Sequence, residues 1–344
     1  MLEASLGPAQ HHENLTIFPI LAEKERELPY LLMADALALG ILTIGEKNGG
    51  DVPLLLATNA GNESILILDG EQLIGAKQNR MTNRSILLPA ESITEIPVSC
   101  MEQGRWHFQG DHFASAPQHA PSKVRRKARE VEADASYAAE SRGPGARSSY
   151  RDLSAAQSMV WDEIRGFEER LGSTSDTGAL DSIYDSRRGQ MGPWIQAFPL
   201  VLGQIGLMAF QGKVPLAMDA VGSPVLYSKA HDRLLTGYVM DAMEGWNPDH
   251  PSETPSAPDA EELINALRDA ERVPSESVGA GSYRILRGTV LGGELVDGDH
   301  LVHASAFPAL QGMQGHDGGH QAGQGGPRPT GGPIARPSRR RRGF

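Results

Sequence analysis

Four short apolar runs, residues 53–56, 64–68, 85–88 and 96–98, follow one another between positions 52 and 100, separated by turns rich in Asn, Gly and Glu such as Asn59-Ala60-Gly61-Asn62. This punctuation is that of strands joined by tight turns, and it commits this part of the chain to sheet. Several runs are apolar at every position instead of alternating, so their strands need cover on both faces, as in a sandwich or a helix-backed sheet. Strands over 15–21 and 41–46 extend the pattern. Between them a helix is expected over 30–39, where Leu31, Leu32, Ala34, Leu37 and Ala38 fall mostly on one side before Gly40.

Helical spacing takes over later. Val160, Trp161, Ile164, Phe167 and Leu171 recur at three-to-four intervals over 157–171, and Leu234, Leu235, Tyr238, Val239 and Ala242 do so over 228–243. Leu263, Ala266, Leu267 and Ala270 line a stripe over 258–272. Residues 206–221 read as a hairpin around Gly212-Lys213, and 283–307 as two or three closing strands. Strands, then a helix, then a mixture favour an α+β fold over alternating βαβ units, with an antiparallel or mixed, sandwich-like β-sheet core and packed helices. The expected organisation is a single domain over 1–310 and a disordered Gly/Pro/Arg-rich tail over 311–344. Within the domain, an exposed basic excursion at about 120–151 carries Lys123, Arg125, Arg126, Lys127 and Arg129, and a Pro-rich linker lies at about 246–257.

The formal charge is -11, yet residues 311–344 hold six Arg against one Asp, a balance of +5, so residues 1–310 carry -16. A body this acidic lacks the phosphate-neutralising face that nucleic-acid binding needs, leaving only weak contacts through the basic tail. The most apolar window, 194–210, is broken by Gln196, Pro199, Gly203 and Gln204 and falls short of the roughly 20 residues of a membrane span, so no membrane contact is expected. The single Cys excludes an internal disulfide and the paired thiolates of common zinc sites. The opening residues lack the basic start and apolar run of a signal peptide, so a reducing cytoplasm is the expected location.

Chemistry-bearing side chains concentrate in two blocks, 69–80 and 96–106, each following an apolar run. They supply the carboxylates Glu71 and Glu102, the cations Lys77, Arg80 and Arg105, the amides Gln78 and Asn79, the only thiol, Cys100, and the indole of Trp106. In an extended chain Lys77 and Asn79 share one face and Gln78 and Arg80 the other, while Val98, Cys100 and Glu102 line up beyond apolar Ile96. A carboxylate there is partly desolvated and lifted towards a pKa suited to acid or base work, unless a cation pairs with it. The three cations offer that pairing, or a clamp for the phosphate or carboxylate of a ligand. Glu71 and Glu102 are therefore the candidate acid and base, with Cys100 a less favoured nucleophile. Lys77, Gln78, Asn79, Arg80, Arg105 and Trp106 are the candidate ligand contacts.

Each of these residues has a plainer reading. The charged side chains can form a salt-bridge network tying loops to the sheet, and such networks also perturb pKa values. Cys100 can be a small buried filler, since no recognised Cys-His pattern links it to His107 or His112. Trp106 can fill core. His11, His12, His107, His112 and His119 lack the helical spacing of the usual zinc motifs, so no metal site is expected and the cofactor stays unspecified.

Over about 6–310, outside the excursion and the linker, the chain resembles the ARG and rhodanese-phosphatase-superfamily-associated protein domain. Two motifs carry the resemblance: Gly70-Glu71 with Gly75-Ala76-Lys77-Gln78-Asn79-Arg80, and Ile96-Pro97-Val98-Ser99-Cys100 with Glu102-Gln103-Gly104-Arg105-Trp106. Gln157 with Val160-Trp161 also matches, and Gln204 with Gly206, the helix from Leu234-Leu235 to Ala242, and Val302-His303 to Phe307 match more loosely. The resemblance implies an uncharacterised domain whose name records gene and domain associations. Those associations point to ADP-ribose and phosphate-processing contexts, so the implied ligand is a small anion of nucleotide or ADP-ribose type. Its implied positions of interest are Glu71, Lys77, Gln78, Asn79, Arg80, Cys100, Glu102, Arg105 and Trp106. Two readings stay open: an enzyme or binding domain for such a ligand, and a non-catalytic interaction or regulatory module whose charged cluster is structural.

Overall fold

Among the described residues of the computed structural model (4–309, without 25, 52, 106–109, 143–149 and 174) the fold is α+β with a β-rich core, eighteen strands and six helices in all. Three strands open the chain, β1 (Ala4–Leu6), β2 (Gln10–His12) and β3 (Leu15–Ala22). Then come β4 (Tyr30–Leu32), α1 (Met33–Ala38), β5 (Leu42–Asp51), β6 (Leu54–Asn59), β7 (Ser64–Ile67), β8 (Glu71–Gly75), β9 (Arg80–Thr82), β10 (Ile86–Leu88), β11 (Ser92–Cys100) and β12 (Phe113–His119). Three helices, α2 (Ser122–Arg142), α3 (Tyr150–Leu171) and α4 (Leu180–Gln196), precede the hairpin of β13 (Gln204–Gln211) and β14 (Val214–Val221). Helices α5 (Pro224–Glu244) and α6 (Ala257–Asp269) lead into β15 (Glu271–Ser275), β16 (Ser282–Arg287), β17 (Val290–Asp297) and β18 (His300–Pro308).

The first strands and the last six join in one sheet of nine, ordered β1-β3-β13-β14-β18-β17-β16-β15 with β2 beside β3. The middle of the chain makes a six-stranded sheet, β12-β8-β9-β11-β6-β5, and a three-stranded one, β10-β7-β4, in which β4 runs parallel to β7. Gly212-Lys213 forms the two-residue connection of β13 and β14, with Gly212 at φ 56°, the left-handed geometry a tight hairpin needs.

The continuous apolar runs are covered on both faces. Ile65 and Ile67 of β7 enter a core with Leu73, Ile96 and Phe113, while Leu66 and Leu68 enter another with Leu226 and Leu234 of α5. In the nine-stranded sheet Ile17 and Leu207 pack with Ile164, Trp194 and Leu235 from α3, α4 and α5. Phe18, Ile20 and Met208 pack instead with Leu263 and Leu267 of α6. Burial on both faces removes the polar half of the alternation.

Residues 30–39 do not form one helix: Tyr30–Leu32 is β4, which takes a ladder from β7, and only Met33–Ala38 coils. Residues 123–129 of the basic stretch are not exposed either. The stretch holds α2, where Arg125 and Arg129, four apart on one face, are 1% and 2% exposed. Helix α4 escapes the spacing rules because Gly189, Gly192 and Pro193 interrupt it, yet Ile183, Tyr184, Met191 and Trp194 bury its inner side. Met1–Ala309 forms one compact unit. The expected tail over 311–344, like Trp106, lies outside the described residues. Among the described residues no helix is long and apolar enough to cross a membrane, and no group of three or more His, Cys, Asp or Glu is placed to hold a metal ion.

Gly237 sets how closely α5 approaches the β12–α2 connection, because a Cβ there would sit 2.6 Å from the Ala120 carbonyl oxygen. Gly to Ala in an exposed helix gains about 1 kcal/mol. Gly237→Ala is expected instead to lose about 1–3 kcal/mol through overpacking, read as a lower urea midpoint.

Candidate functional site

Residues 76–79 connect β8 to β9, and they are a turn instead of the extended segment expected from the sequence. Gly75 and Ala76 adopt φ of 125° and 43°, so the chain reverses and the two-faced alternation of Lys77 to Arg80 does not form. Arg105 holds the turn: its guanidinium donates to the Ala76 carbonyl at 2.8 Å and to Asn79 Oδ1 at 3.1 Å, and pairs with Glu102 at 2.7 Å. Glu102 accepts from the Asn79 N–H at 3.3 Å, and Gln78 Nε2 donates to the Glu102 carbonyl at 2.9 Å. Buried Arg80 donates to Gln78 Oε1 at 3.1 Å and to Cys100 Sγ, and lies 3.6 Å from Glu46. The Lys77 N–H donates to Glu46 Oε1 at 3.3 Å.

Because β11 ends at Cys100, Glu102 does not share a strand face with it. Gln157 of α3 closes the strand end by accepting from the Cys100 N–H at 2.7 Å and donating to its carbonyl at 2.8 Å, an amide in place of a further ladder residue. Burial, opposed by Arg80, pushes the Cys100 thiol up to about 11, a poor setting for a thiolate. The structure thus brings Gln78, Asn79, Arg80, Cys100, Glu102 and Arg105 together and turns them on one another.

Glu71 has a different setting. It lines a small cavity of about 40 Å³ with His119, Arg233, Lys229 and Asp35. Its Oε2 accepts from the Leu68 N–H at 2.9 Å and its Oε1 from Arg233 at 3.1 Å, while Arg233 also donates to Ser115 Oγ at 2.9 Å. Burial pushes the Glu71 carboxyl up, and Arg233 and the Leu68 N–H pull it only partly back, so it stays above the ordinary value. Burial and neighbouring Arg125 push His119 down to about 3, keeping the imidazole neutral. Apart from a weak approach to the Ala120 backbone, its ring nitrogens make no hydrogen bond. Its backbone is fixed: Thr236 Oγ1 accepts from the His119 N–H at 2.8 Å, and the Tyr184 hydroxyl donates to its carbonyl at 2.6 Å.

Gly70 separates two charge clusters. At φ 85° it carries no side chain that would fit, since a Cβ would lie 2.6 Å from both Arg125 and His119. On one side Glu71 enters the cavity, and on the other Asp69 enters a fully buried ion core. There Arg125 grips Asp219 with two nitrogens at 2.6 and 2.8 Å and reaches Asp69 at 3.2 Å, while Arg129 lies 3.1 Å from Asp69. Ser305 donates to Asp69 at 2.7 Å and the Tyr238 hydroxyl donates to Asp219. Burial pushes both Asp carboxyls up, but the arginines outweigh it and hold both below the ordinary range. His303 lies 2.6 Å from Ser85 Oγ and 3.4 Å from Asp219. That sequence of Ser, His and Asp has the connectivity of a nucleophile triad. All three are buried, however, and Ser85 Oγ already accepts from the Asp69 N–H at 3.1 Å.

The sequence reading missed His119, Arg125, Arg129, Asp219 and Arg233. One usable signal was present: arginines at 125 and 129 lie one turn apart on a helix, a spacing that aims two cations at one place. Their acidic partners, 94 and 56 positions from Arg125, give no local sign.

A family model, the ARG and Rhodanese-Phosphatase-superfamily-associated Protein domain (ARPP-1), matches residues 3–307. No curated protein and no solved structure matches the chain.

Removing Arg105 strands the buried Glu102 carboxylate, so Arg105→Met is expected to cost about 3–5 kcal/mol in urea unfolding. Glu102→Gln in the same chain should restore a large part of that loss, and an additive pair of costs would show that the two do not depend on each other. His119 supplies a pH dependence. Its folded value, about 3, lies below the ordinary 6.5, so its neutral ring contributes stability that is complete above pH 6.5 and lost as pH falls towards 3. Asp241, pushed by burial to about 6, acts oppositely, relieving a cost as pH falls from 6 to 3.8. Between pH 7 and 4.5 the wild type should therefore lose about 1–3 kcal/mol more than His119→Gln, at about 1.36 kcal/mol per pH unit. Equal slopes for the two proteins would mean that the ring already takes up a proton in the fold.

Proposed function

The chain belongs to that family, and we propose that it binds a small anionic molecule at the cavity of Glu71, His119 and Arg233, with Glu71 taking up the accompanying proton. What supports this reading is that Arg233, part-exposed, is held by a carboxylate that burial has already made reluctant to ionise. An anion arriving at Arg233 competes with Glu71 for the same N–H groups and raises the carboxyl further, so one proton follows the ligand in. A neutral Glu71 is cheap in a buried site, and the guanidinium charge passes to the ligand. The other charged or titratable groups around Glu71 are Lys229 on α5, paired with Asp35 of α1 at 3.4 Å, and His119 at the end of β12. A perturbed carboxylate and a neutral imidazole sharing one cavity are more typical of binding and catalytic sites than of surface ion pairs. A cavity of about 40 Å³ has room for an anionic group and not for a whole nucleotide, so nucleotides, ADP-ribose derivatives and sugar phosphates are tested as ligands that enter by a phosphate, in the reducing cytoplasm that a single buried thiol suits.

A second reading, a non-catalytic interaction or regulatory module whose charged cluster is structural, is favoured by one observation. Glu102, Arg105, Gln78, Asn79 and Arg80 bond to one another within the fold. Thermal-shift measurements with inorganic phosphate, nucleotides, ADP-ribose and sugar phosphates at pH 6 and pH 8 separate the two. Under the binding reading the melting temperature rises with ln(1+[L]/Kd), and with ADP-ribose, whose pyrophosphate does not titrate in this range, it rises more at pH 6 than at pH 8. Glu71→Gln, a fixed neutral form, should bind ADP-ribose equally at both pH values, and Arg233→Gln should bind at least tenfold more weakly. No shift across the panel, or a shift that survives Arg233→Gln, leaves the structural module.

A further inference from the structure

The last residues of α3 and α5 and one stripe of α4 enclose an open cleft of about 490 Å³. That is the size of a small-molecule site, which runs to roughly 300–1,000 Å³. Arg187, Gln190 and Trp194 reach it from α4 at i, i+3 and i+7, the spacing that puts three side chains on one helix face. Trp194, 6% exposed, is braced edge-on by His12 at 5.0 Å and by Trp246 at 5.9 Å. Trp246 is 41% exposed, and its indole N–H donates to Glu13 at 3.1 Å. Leu171 and Met243 complete an apolar lining.

The charges in this cleft are unequally answered. Arg170 pairs with Glu163 at 3.1 Å and with Glu244, and Glu244 is paired again by Lys123. Arg187 has no carboxylate partner among the described residues. One of its nitrogens donates to the Leu171 carbonyl, capping the end of α3, another lies 3.5 Å from Gln190 Oε1, and its Nε–H is buried without an acceptor. Capping uses one of the five guanidinium donors and leaves the charge beside two indoles without a counter-ion. Buried donors normally find partners, and an anion in the cleft would supply one.

We propose that this cleft is a binding site for a planar aromatic anion, whose ring packs on the Trp194–Trp246 pair and whose carboxylate or phosphate pairs with Arg187. Stacking on indole and a charge-assisted bond to a guanidinium reinforce each other where apolar walls thin the solvent. The site is separate from the Arg233 cavity: Arg233 and Met243 lie ten residues apart on α5, roughly 15 Å along a helix axis.

The full chain is titrated with benzoate, a nucleoside 5′-monophosphate and ring-less inorganic phosphate, by calorimetry and by quenching of tryptophan fluorescence. At least one ring-bearing anion should bind saturably and at least tenfold more tightly than phosphate, and the preferred one identifies the anionic group. Arg187→Gln and Trp246→Leu should each weaken that binding tenfold or more with far-ultraviolet circular dichroism and cooperative unfolding retained, and Arg187→Lys should recover part of it. Should Arg187→Gln fail to fold, Trp246→Leu at the exposed rim carries the test. Absence of saturable binding by either ring-bearing anion, equal affinity for phosphate, or affinity unchanged in the folded variants overturns the proposal.

Discussion

Arg125 holds two carboxylates inside a core that contains no exposed atom of any of the three groups to speak of, and much of the fold is arranged around it. Asp69 comes from the turn between β7 and β8, Asp219 from β14, and Arg125 itself from α2, so one guanidinium ties together parts of the chain 56 and 94 residues away. Burying charge is tolerable only when geometry is good and every remaining lone pair is answered. Here the grip on Asp219 is two-pronged, Ser305 and Arg129 answer Asp69, and Tyr238 answers Asp219. The consequence for the site is positional. Asp69 and Glu71 flank a glycine too crowded to be replaced, so fixing one carboxylate in the ion core fixes the other at the cavity.

What could be seen in the sequence follows from how local each cause is. The β13–β14 hairpin, α5, α6 and the closing strands are dictated by short-range periodicity and turn glycines, and the structure has them. The stretch carrying Arg125 and Arg129 looks exposed in sequence because charge suggests water unless a distant partner is known. Helix α4 was hidden by Gly189, Gly192 and Pro193, whose local cost is outweighed by Tyr184, Met191 and Trp194 packing against elements far along the chain. The turn at 75–79 was hidden by Ala76, since a left-handed φ at alanine is not a local preference. It is imposed by Arg105, which bonds the Ala76 carbonyl from 29 residues away.

The same turn explains why the residues richest in chemistry resolve into two kinds. A buried reversal at the ends of two neighbouring strands leaves backbone donors and acceptors that water cannot reach, and each needs a partner. Asn79 Oδ1 answers the Gly75 N–H, Arg105 the Ala76 carbonyl, Gln78 the Glu102 carbonyl and Gln157 both polar groups of Cys100. Amides and guanidinium groups are what such a place demands, with or without a ligand. Glu71 differs because its partner, Arg233, is not itself sealed in: the Arg233 side chain is 24% exposed.

Helix α5 connects these levels. Arg233 meets Glu71, Thr236 takes the His119 N–H, Tyr238 bonds Asp219, and Asp241 accepts from the Ser122 N–H at 2.7 Å and so caps the start of α2. Gly237 lets the helix approach the His119–Ala120 backbone closely. Each contact is made to a different element, so the helix cannot slide or rotate to improve one without straining the others. Arg233 is therefore presented from a support whose position is set by buried partners, and its freedom is confined to its own side chain. A ligand drawn to that guanidinium would need to displace only Glu71 and Ser115, the two acceptors that hold it. The ordering cost is already met by the fold, which is the condition under which a part-exposed cation can be selective.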